Sequence, residues 1–168
     1  MNNNSVFLSL GSNLGNRYDY LTRAVDLVSG ELSTVLKQSS IYETEPWGNK
    51  MQNHFLNQII ELKSNLKPVE ILHKILDIEK RLGRIRNENY GPRTIDIDIL
   101  FIGSMILNTP ELILPHPRMA FRKFILLPLS EIAPKLIHPI LKLRMDELLV
   151  RCTDLGHVTK FKTHEIQS

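Results

Sequence analysis

The chain has 168 residues, 42% of them hydrophobic and 23% charged, enough apolar material for one full core and too little length for two. A formal charge of +3 is too mild to mark a nucleic-acid binder, and no apolar run approaches the ~20 residues that cross a bilayer. Cys152 is the single cysteine, no Cys/His group has zinc spacing, and the polar Met1-Asn2-Asn3-Asn4-Ser5 start does not read as a signal peptide, so a reducing, cytoplasmic setting is expected.

Residues 5–10 read as a first strand. Gly11-Ser12-Asn13-Leu14-Gly15 breaks it as a turn, and Asn16 then caps a helix with Asp19 in its first turn. Tyr18, Leu21, Val25 and Val28 give that helix an apolar face, and Gly30 ends it. Residues 34–44 read as a second strand, 45–50 as a loop and 55–62 as an isoleucine-rich third strand. Pro68 suits the first turn of a second helix. Its buried face is Val69, Leu72, Ile75, Leu76, Ile78 and Leu82, and Gly83 stops it. A charged loop over 84–92 precedes the clearest strand, residues 95–102. The β-α-β-β-α-β order predicts an α+β, ferredoxin-like domain: an antiparallel sheet with both helices on one face and the other face free. From about Ser104 the chain is a proline-rich, irregular C-terminal extension, with short helices near 124–132 and 144–151. One domain over residues 1–168 is expected, with about 1–4 and 155–168 free to fray.

Side chains alternate along a strand, so Asp96 and Asp98 point one way while Ile95, Ile97, Ile99 and Phe101 point into the core. A slip of one residue would bury both carboxylates, so the register is fixed. Two like charges held side by side are either a solvated strand face or a site for a hard divalent cation such as Mg²⁺. Arg84, Arg86 and Arg93 stand close in sequence. They would serve as neutralising ion pairs or as a clamp on phosphate oxygens, which the planar guanidinium fits.

On the third strand Phe55, Asn57 and Ile59 share a face, and Trp47 and Phe124 are within reach of it. Flat rings with one amide suit a planar heterocycle. A buried core with a satisfied amide is the plainer alternative. Gly11-Ser12-Asn13-Leu14-Gly15 lacks both phosphate-loop glycine patterns and reads as a turn and cap. Pro115-His116-Pro117-Arg118 is a stiff loop.

Together these residues resemble a known family. Gly91-Pro92-Arg93-Thr94-Ile95-Asp96-Ile97-Asp98-Ile99-Leu100 is similar to the signature of the 6-hydroxymethyl-7,8-dihydropterin pyrophosphokinases of folate biosynthesis. Gly11-Ser12-Asn13-Leu14, Tyr42-Glu43-Thr44-Glu45-Pro46, Phe55-Leu56-Asn57, Gly83-Arg84-Ile85-Arg86 and Leu114-Pro115-His116-Pro117-Arg118-Met119 resemble it too, in the family's order. The resemblance spans about residues 5–150 and implies the ferredoxin-like fold. It implies transfer of pyrophosphate from ATP to the hydroxymethyl group of the dihydropterin, with release of AMP. It places two Mg²⁺ ions on Asp96 and Asp98, with Arg84 and Arg93 on the phosphates. Glu79, Arg86, Tyr90, Ile99, His116 and Arg122 fall on the ATP side. Phe55 and Phe124 sandwich the pterin, Asn57 and Thr44 bond its edge, and Trp47 lies beside it. Asn89 departs from the family's frequent basic residue, and Tyr90 stands where some members have tryptophan. The expected partners are these small molecules alone, with no nucleic acid and no membrane, and the chain is expected to act as a monomer. A nucleic-acid module of similar fold would show aromatics where Asp96 and Asp98 stand, and a noncatalytic regulatory domain would release no AMP.

Overall fold

The computed structural model describes residues 3–46, 51–85 and 92–163. In chain order β1 (Asn4–Ser12) leads into α1 (Arg17–Glu31), then β2 (Val35–Gln38), β3 (Tyr42–Thr44) and β4 (Phe55–Ser64). There follow α2 (Pro68–Arg81), β5 (Asp96–Ile102), a small hairpin of β6 (Leu107–Asn108) and β7 (Ile113–Leu114), α3 (Lys123–Ile132), α4 (Met145–Arg151) and β8 (Val158–Lys160). The main sheet runs β5–β1–β4–β3–β8, with β2 also on β4, and every pairing is antiparallel.

Local chemistry sets the helix ends. Asn16 Oδ1 accepts the Asp19 N–H at 3.0 Å and starts α1, which runs on through Gly30 to Glu31 rather than ending at the glycine. Pro68 opens α2, and Gly83, at φ +85°, ends it in a conformation that side-chain-bearing residues rarely adopt. The buried stripe of α2 is Ile71, Ile75, Ile78 and Glu79, rotated from the expected one. Val69 and Leu76 are exposed.

The strand expected over 34–44 is two strands. Ser39 breaks it: its N–H donates to the Ile59 carbonyl at 2.8 Å, and its hydroxyl accepts the Ile59 N–H at 2.9 Å. A side chain has taken a ladder bond, so pairing resumes only at Tyr42.

The second face of the sheet is not free. Val6, Leu8, Leu10, Ile60, Leu62, Ile97 and Ile99 pack against α1 and α2. On the other side Phe7, Ile59, Leu100 and Phe101 are covered by Met119, Ile125, Leu126, Leu129, Met145 and Leu148. Each such fully buried side chain contributes about 1.5–3 kcal/mol, which is what orders the proline-rich segment. Phe101 belongs to this second core, not to the first with Ile97 and Ile99. The β1–β5 register shifts between Phe7 and Leu8, so Leu8 pairs with Ile99 and Phe7 with Phe101. The irregularity reverses the alternation, and the Phe101 ring meets Phe7 edge-on at 6.2 Å. At the far edge β8 pairs with β3, inside the polar stretch expected to fray.

Two cross-strand rows run through β1 near its C-terminal end. Gly11 pairs with Asn57 on one side and Asp96 on the other, and Ser9 pairs with Ile59 and Asp98. Both rows lie on the α3 face, at the margin of the ground that α3 and α4 cover: Ile59 is still beneath them, while Gly11, Asn57, Asp96 and Asp98 lie at the edge.

Candidate active site

A cavity of about 910 Å³ opens there and wraps the edge strand β5. Arg84, Arg93, Asp96, Asp98, Ile99, His116 and Arg122 line it, as do Thr44, Phe55, Asn57 and Phe124. The two groups singled out in the sequence therefore share one cavity. Glu79 stands behind its wall. Trp47, Arg86 and Tyr90 lie outside the described residues.

At the acidic end, Asp96 is bracketed by two arginines. Arg84 Nη1 donates to Oδ1 at 2.5 Å and Arg93 Nη1 to Oδ2 at 2.7 Å. The same Arg84 nitrogen donates to Glu79 Oε2, an oxygen that also accepts the Ile97 N–H at 3.0 Å. Glu79 is only 2% exposed, so this network is a buried ion group rather than a surface one. Arg84 Nε is buried with no acceptor among the described residues. Asp98 shares the face of Asp96. Burial, reinforced by the charges of Asp96 and Glu79 and opposed by the two arginines, pushes its carboxyl up to about 7.

His116 arrives from the loop after β7. Its backbone N–H donates to the Leu100 carbonyl at 3.0 Å, and its ring Nδ1 accepts the Arg118 backbone N–H at 3.2 Å. The neutral ring therefore carries its proton on Nε2. Burial, with Arg122 and Arg118 adding positive charge, brings its pKa down to about 4, so at neutral pH it is an uncharged donor.

At the other end, Asn57 Nδ2 donates to Thr44 Oγ1 at 2.7 Å. Gly11 makes room for this pair: a Cβ there would stand 3.0 Å from Asn57 Oδ1 and 3.5 Å from the Phe55 ring. The Arg122 guanidinium lies 5.6 Å from the centre of the Phe124 ring.

The sequence did not single out Asn13. It is 1% exposed, and its backbone N–H donates to the Arg93 carbonyl at 3.0 Å while its Oδ1 accepts the Arg93 N–H at 2.7 Å. Its Nδ2 donates to Gln52 Oε1 at 3.0 Å and the Asn53 carbonyl at 3.1 Å. Asn13 thus ties the segment before β4 to the segment before β5. The signal was an amide with both a donor and an acceptor, placed after a strand and read only as part of a turn. Leu72, His73 and Leu76 of α2, with Leu112 and Ile113, add a wall that was not foreseen.

Mg²⁺ suits the donor set. Among the described residues no three His, Cys, Asp or Glu side chains converge into a closed metal cage. Two carboxylates on one strand face, with room beside them, fit a cation that completes its shell with phosphate oxygens and water.

Residues 7–134 match the profile of 7,8-dihydro-6-hydroxymethylpterin-pyrophosphokinase, abbreviated HPPK. The chain is 48% identical over 131 residues to the 2-amino-4-hydroxy-6-hydroxymethyldihydropteridine pyrophosphokinase of Bacillus subtilis, covering 77% of this chain and 78% of that one. It is 41% identical over 143 residues to the enzyme of that name from Aquifex aeolicus, covering 85% and 89%. The folic acid synthesis protein fol1 of Pneumocystis carinii is 40% identical over 154 residues, but the chain covers 92% of its own length and only 21% of fol1. In fold it resembles Plasmodium falciparum HPPK-DHPS, with a TM-score of 0.74 at 18% identity, covering 89% of this chain and 45% of that one. The chain belongs to the 7,8-dihydro-6-hydroxymethylpterin-pyrophosphokinase family, whose reaction is pyrophosphoryl transfer from ATP to hydroxymethyldihydropterin in folate biosynthesis.

Proposed function

We propose that this chain performs that transfer as a Mg²⁺-dependent enzyme, releasing AMP, with the phosphates at Asp96 and Asp98 and the pterin between Phe55 and Phe124. One observation carries this reading: the arginine-bracketed aspartates and the ring-and-amide group line the same cavity, separated only by Gly11.

Phe55 and Phe124 offer the flat faces, and Asn57, oriented by Thr44, the donor and acceptor for the pterin edge. Asp96 and Asp98 would hold two Mg²⁺ ions. When bound, these supply charge neutralisation on the phosphates and a lowered pKa for the acceptor hydroxyl. Arg84 and Arg93 are already directed at Asp96, and the unsatisfied Arg84 Nε offers a phosphate oxygen a buried donor. Glu79 holds Arg84 from behind. His116 gives an uncharged Nε2–H, and Arg122 a positive charge near the ring slot. Ile99 belongs to the wall on the ATP side. The roles of Arg86 and Tyr90 at ATP and of Trp47 at the pterin rest on the resemblance alone. With the substrates fixed in line, the chain's own work is positioning and charge stabilisation, and no dedicated protein base is needed.

The ferredoxin-like assignment is supported by the order β5–β1–β4–β2/β3 with α1 and α2 on one face. A single catalytic domain acting as a monomer is supported by helices of the same chain on both faces of the sheet. A free Cys152 suits a cytoplasmic setting.

The test supplies ATP, Mg²⁺ and hydroxymethyldihydropterin together and follows AMP. Release that depends on both the pterin and Mg²⁺ supports the proposal. No AMP above background overturns it and leaves a nucleotide-binding regulatory domain.

A further inference from the structure

Phe124 sits in the first turn of α3. Pro128, four residues on, has no N–H, so the Phe124 carbonyl cannot take its helical bond and that turn is one link short. Lys123 N–H is held by Asp154 Oδ2 at 3.0 Å, which anchors the start of the helix. Ile125, Leu126 and Leu129 pack its middle on the sheet, and a further anchor lies at its other end.

Seven residues is about two helical turns, so Glu131 returns to the flank of α3 that carries Phe124, about 10 Å along the axis. Its carboxylate gathers donors from Ser40, just before β3, and from Tyr42 at the start of β3. Oε1 accepts the Ser40 N–H at 2.7 Å and the Ser40 hydroxyl at 2.8 Å, and Oε2 accepts the Tyr42 hydroxyl. Tyr42 is 5% exposed and pairs in register with Asn57, and Thr44 on the same strand pairs with Phe55. Glu131 is thus tied, through the Tyr42 hydroxyl and through Ser40 two residues before it, to the strand in register with both Asn57 and Phe55. Phe124 hangs from the helix that Glu131 secures. Glu131 itself lies at the surface, so the mechanism uses it for nothing else, and its loss leaves no buried charge.

We infer that Glu131 is a positioning residue that locks α3 to β3 and so sets the width and tilt of the slot between Phe124 and Phe55. It matters to the reaction in this way only if that slot holds the pterin, the reading given under the proposed function. A purely structural role would lower stability and leave the balance between the two substrates unchanged.

The experiment is a double-mutant cycle by calorimetry, with hydroxymethyldihydropterin titrated into the full chain in the presence of Mg²⁺ and a non-hydrolysable ATP analogue. Glu131→Ala is expected to weaken pterin binding about tenfold, as loss of charge-assisted hydrogen bonds would, and to move the affinity of the ATP analogue less than about twofold. Glu131→Gln keeps an acceptor for Ser40 and is expected to recover most of the loss. In a Phe124→Ala background, Glu131→Ala is expected to cost no further pterin affinity, because the ring it positions is gone. Should Glu131→Ala fail to fold, Tyr42→Phe removes one donor from the carboxylate and is expected to weaken pterin binding about threefold by the same route. Additive effects of Glu131→Ala and Phe124→Ala, or equal losses for pterin and ATP analogue, overturn the positioning role while the pterin slot stands. If Phe124→Ala alone leaves pterin affinity unchanged, the slot assignment falls and the role of Glu131 falls with it.

Discussion

Arg84 Nη1 lies 2.5 Å from Asp96 Oδ1, and the same nitrogen also reaches Glu79, so one guanidinium joins a cavity-lining carboxylate to a buried one. Removing it takes the Arg84 ion pair from Glu79, which is 2% exposed, and breaking a buried pair costs about 3 kcal/mol. Arg84→Ala should therefore lower stability in urea by that order while cutting turnover sharply. Unchanged unfolding would mean that Glu79 keeps enough support without Arg84, the Ile97 N–H included.

Asp98 carries the opposite lesson. Its carboxyl titrates near 3.8 when unfolded and near 7 in the fold. Between those values the folded chain binds more protons, so its stability falls as pH rises from about 4 to about 7. Asp98→Asn should stabilise the ligand-free protein at pH 8 by about 1–2 kcal/mol once solvent screening is allowed for, and change little at pH 3.5. Turnover should collapse in the same variant. Melting temperatures at the two pH values decide it, and an equal shift at both would rule out the electrostatic origin.

His116 behaves in the reverse sense. Its pKa falls from 6.5 to about 4 on folding, so the unfolded chain takes up the proton first and stability drops as pH falls from about 6.5 towards 4. His138, buried against Phe101, is shifted the same way and shares the slope. Proton NMR should show no titration of His116 between pH 5.5 and 7.5, and His116→Gln should flatten part of the acid limb. A midpoint near 6.5 in the folded protein would contradict the buried, arginine-flanked setting.

Gly11→Ala tests the floor of the cavity. The new Cβ would press on Asn57 Oδ1 at 3.0 Å, and the amide must give way. Pterin affinity should fall about tenfold, with ATP affinity and melting temperature nearly unchanged. Asn57→Ala should show a similar loss. Calorimetry with each substrate checks both, and normal pterin binding in Gly11→Ala would mean that Asn57 can shift without cost.

Period-two alternation made Asp96 and Asp98 legible, because Ile97 and Ile99 must face the core. The same rule failed two residues later at Phe101, where the register shift with β1 depends on pairing that one strand's sequence does not contain. Ser39 broke a strand through a side-chain bond to Ile59, a partner 20 residues away. The short helices near 124–132 and 144–151 were legible within the irregular extension, but not where they dock: their apolar side chains are buried on the sheet face expected to be free. Asn13 looked like a turn residue because its partners, Arg93 and Gln52, are distant in sequence.

Gly11 has one more consequence. It is the middle of the row Asn57–Gly11–Asp96, so the group proposed to seat the ring and the group proposed to seat the phosphates stand two strand spacings apart. At about 4.8 Å per spacing that is roughly 10 Å, a gauge cut into the sheet itself. Backbone hydrogen bonds on both sides of β1 hold that gauge, and motion of the surrounding loops cannot retune it. An acceptor one methylene longer between ring and hydroxyl would overshoot by about a bond length, and errors of about 1 Å cost on the order of 100-fold in rate.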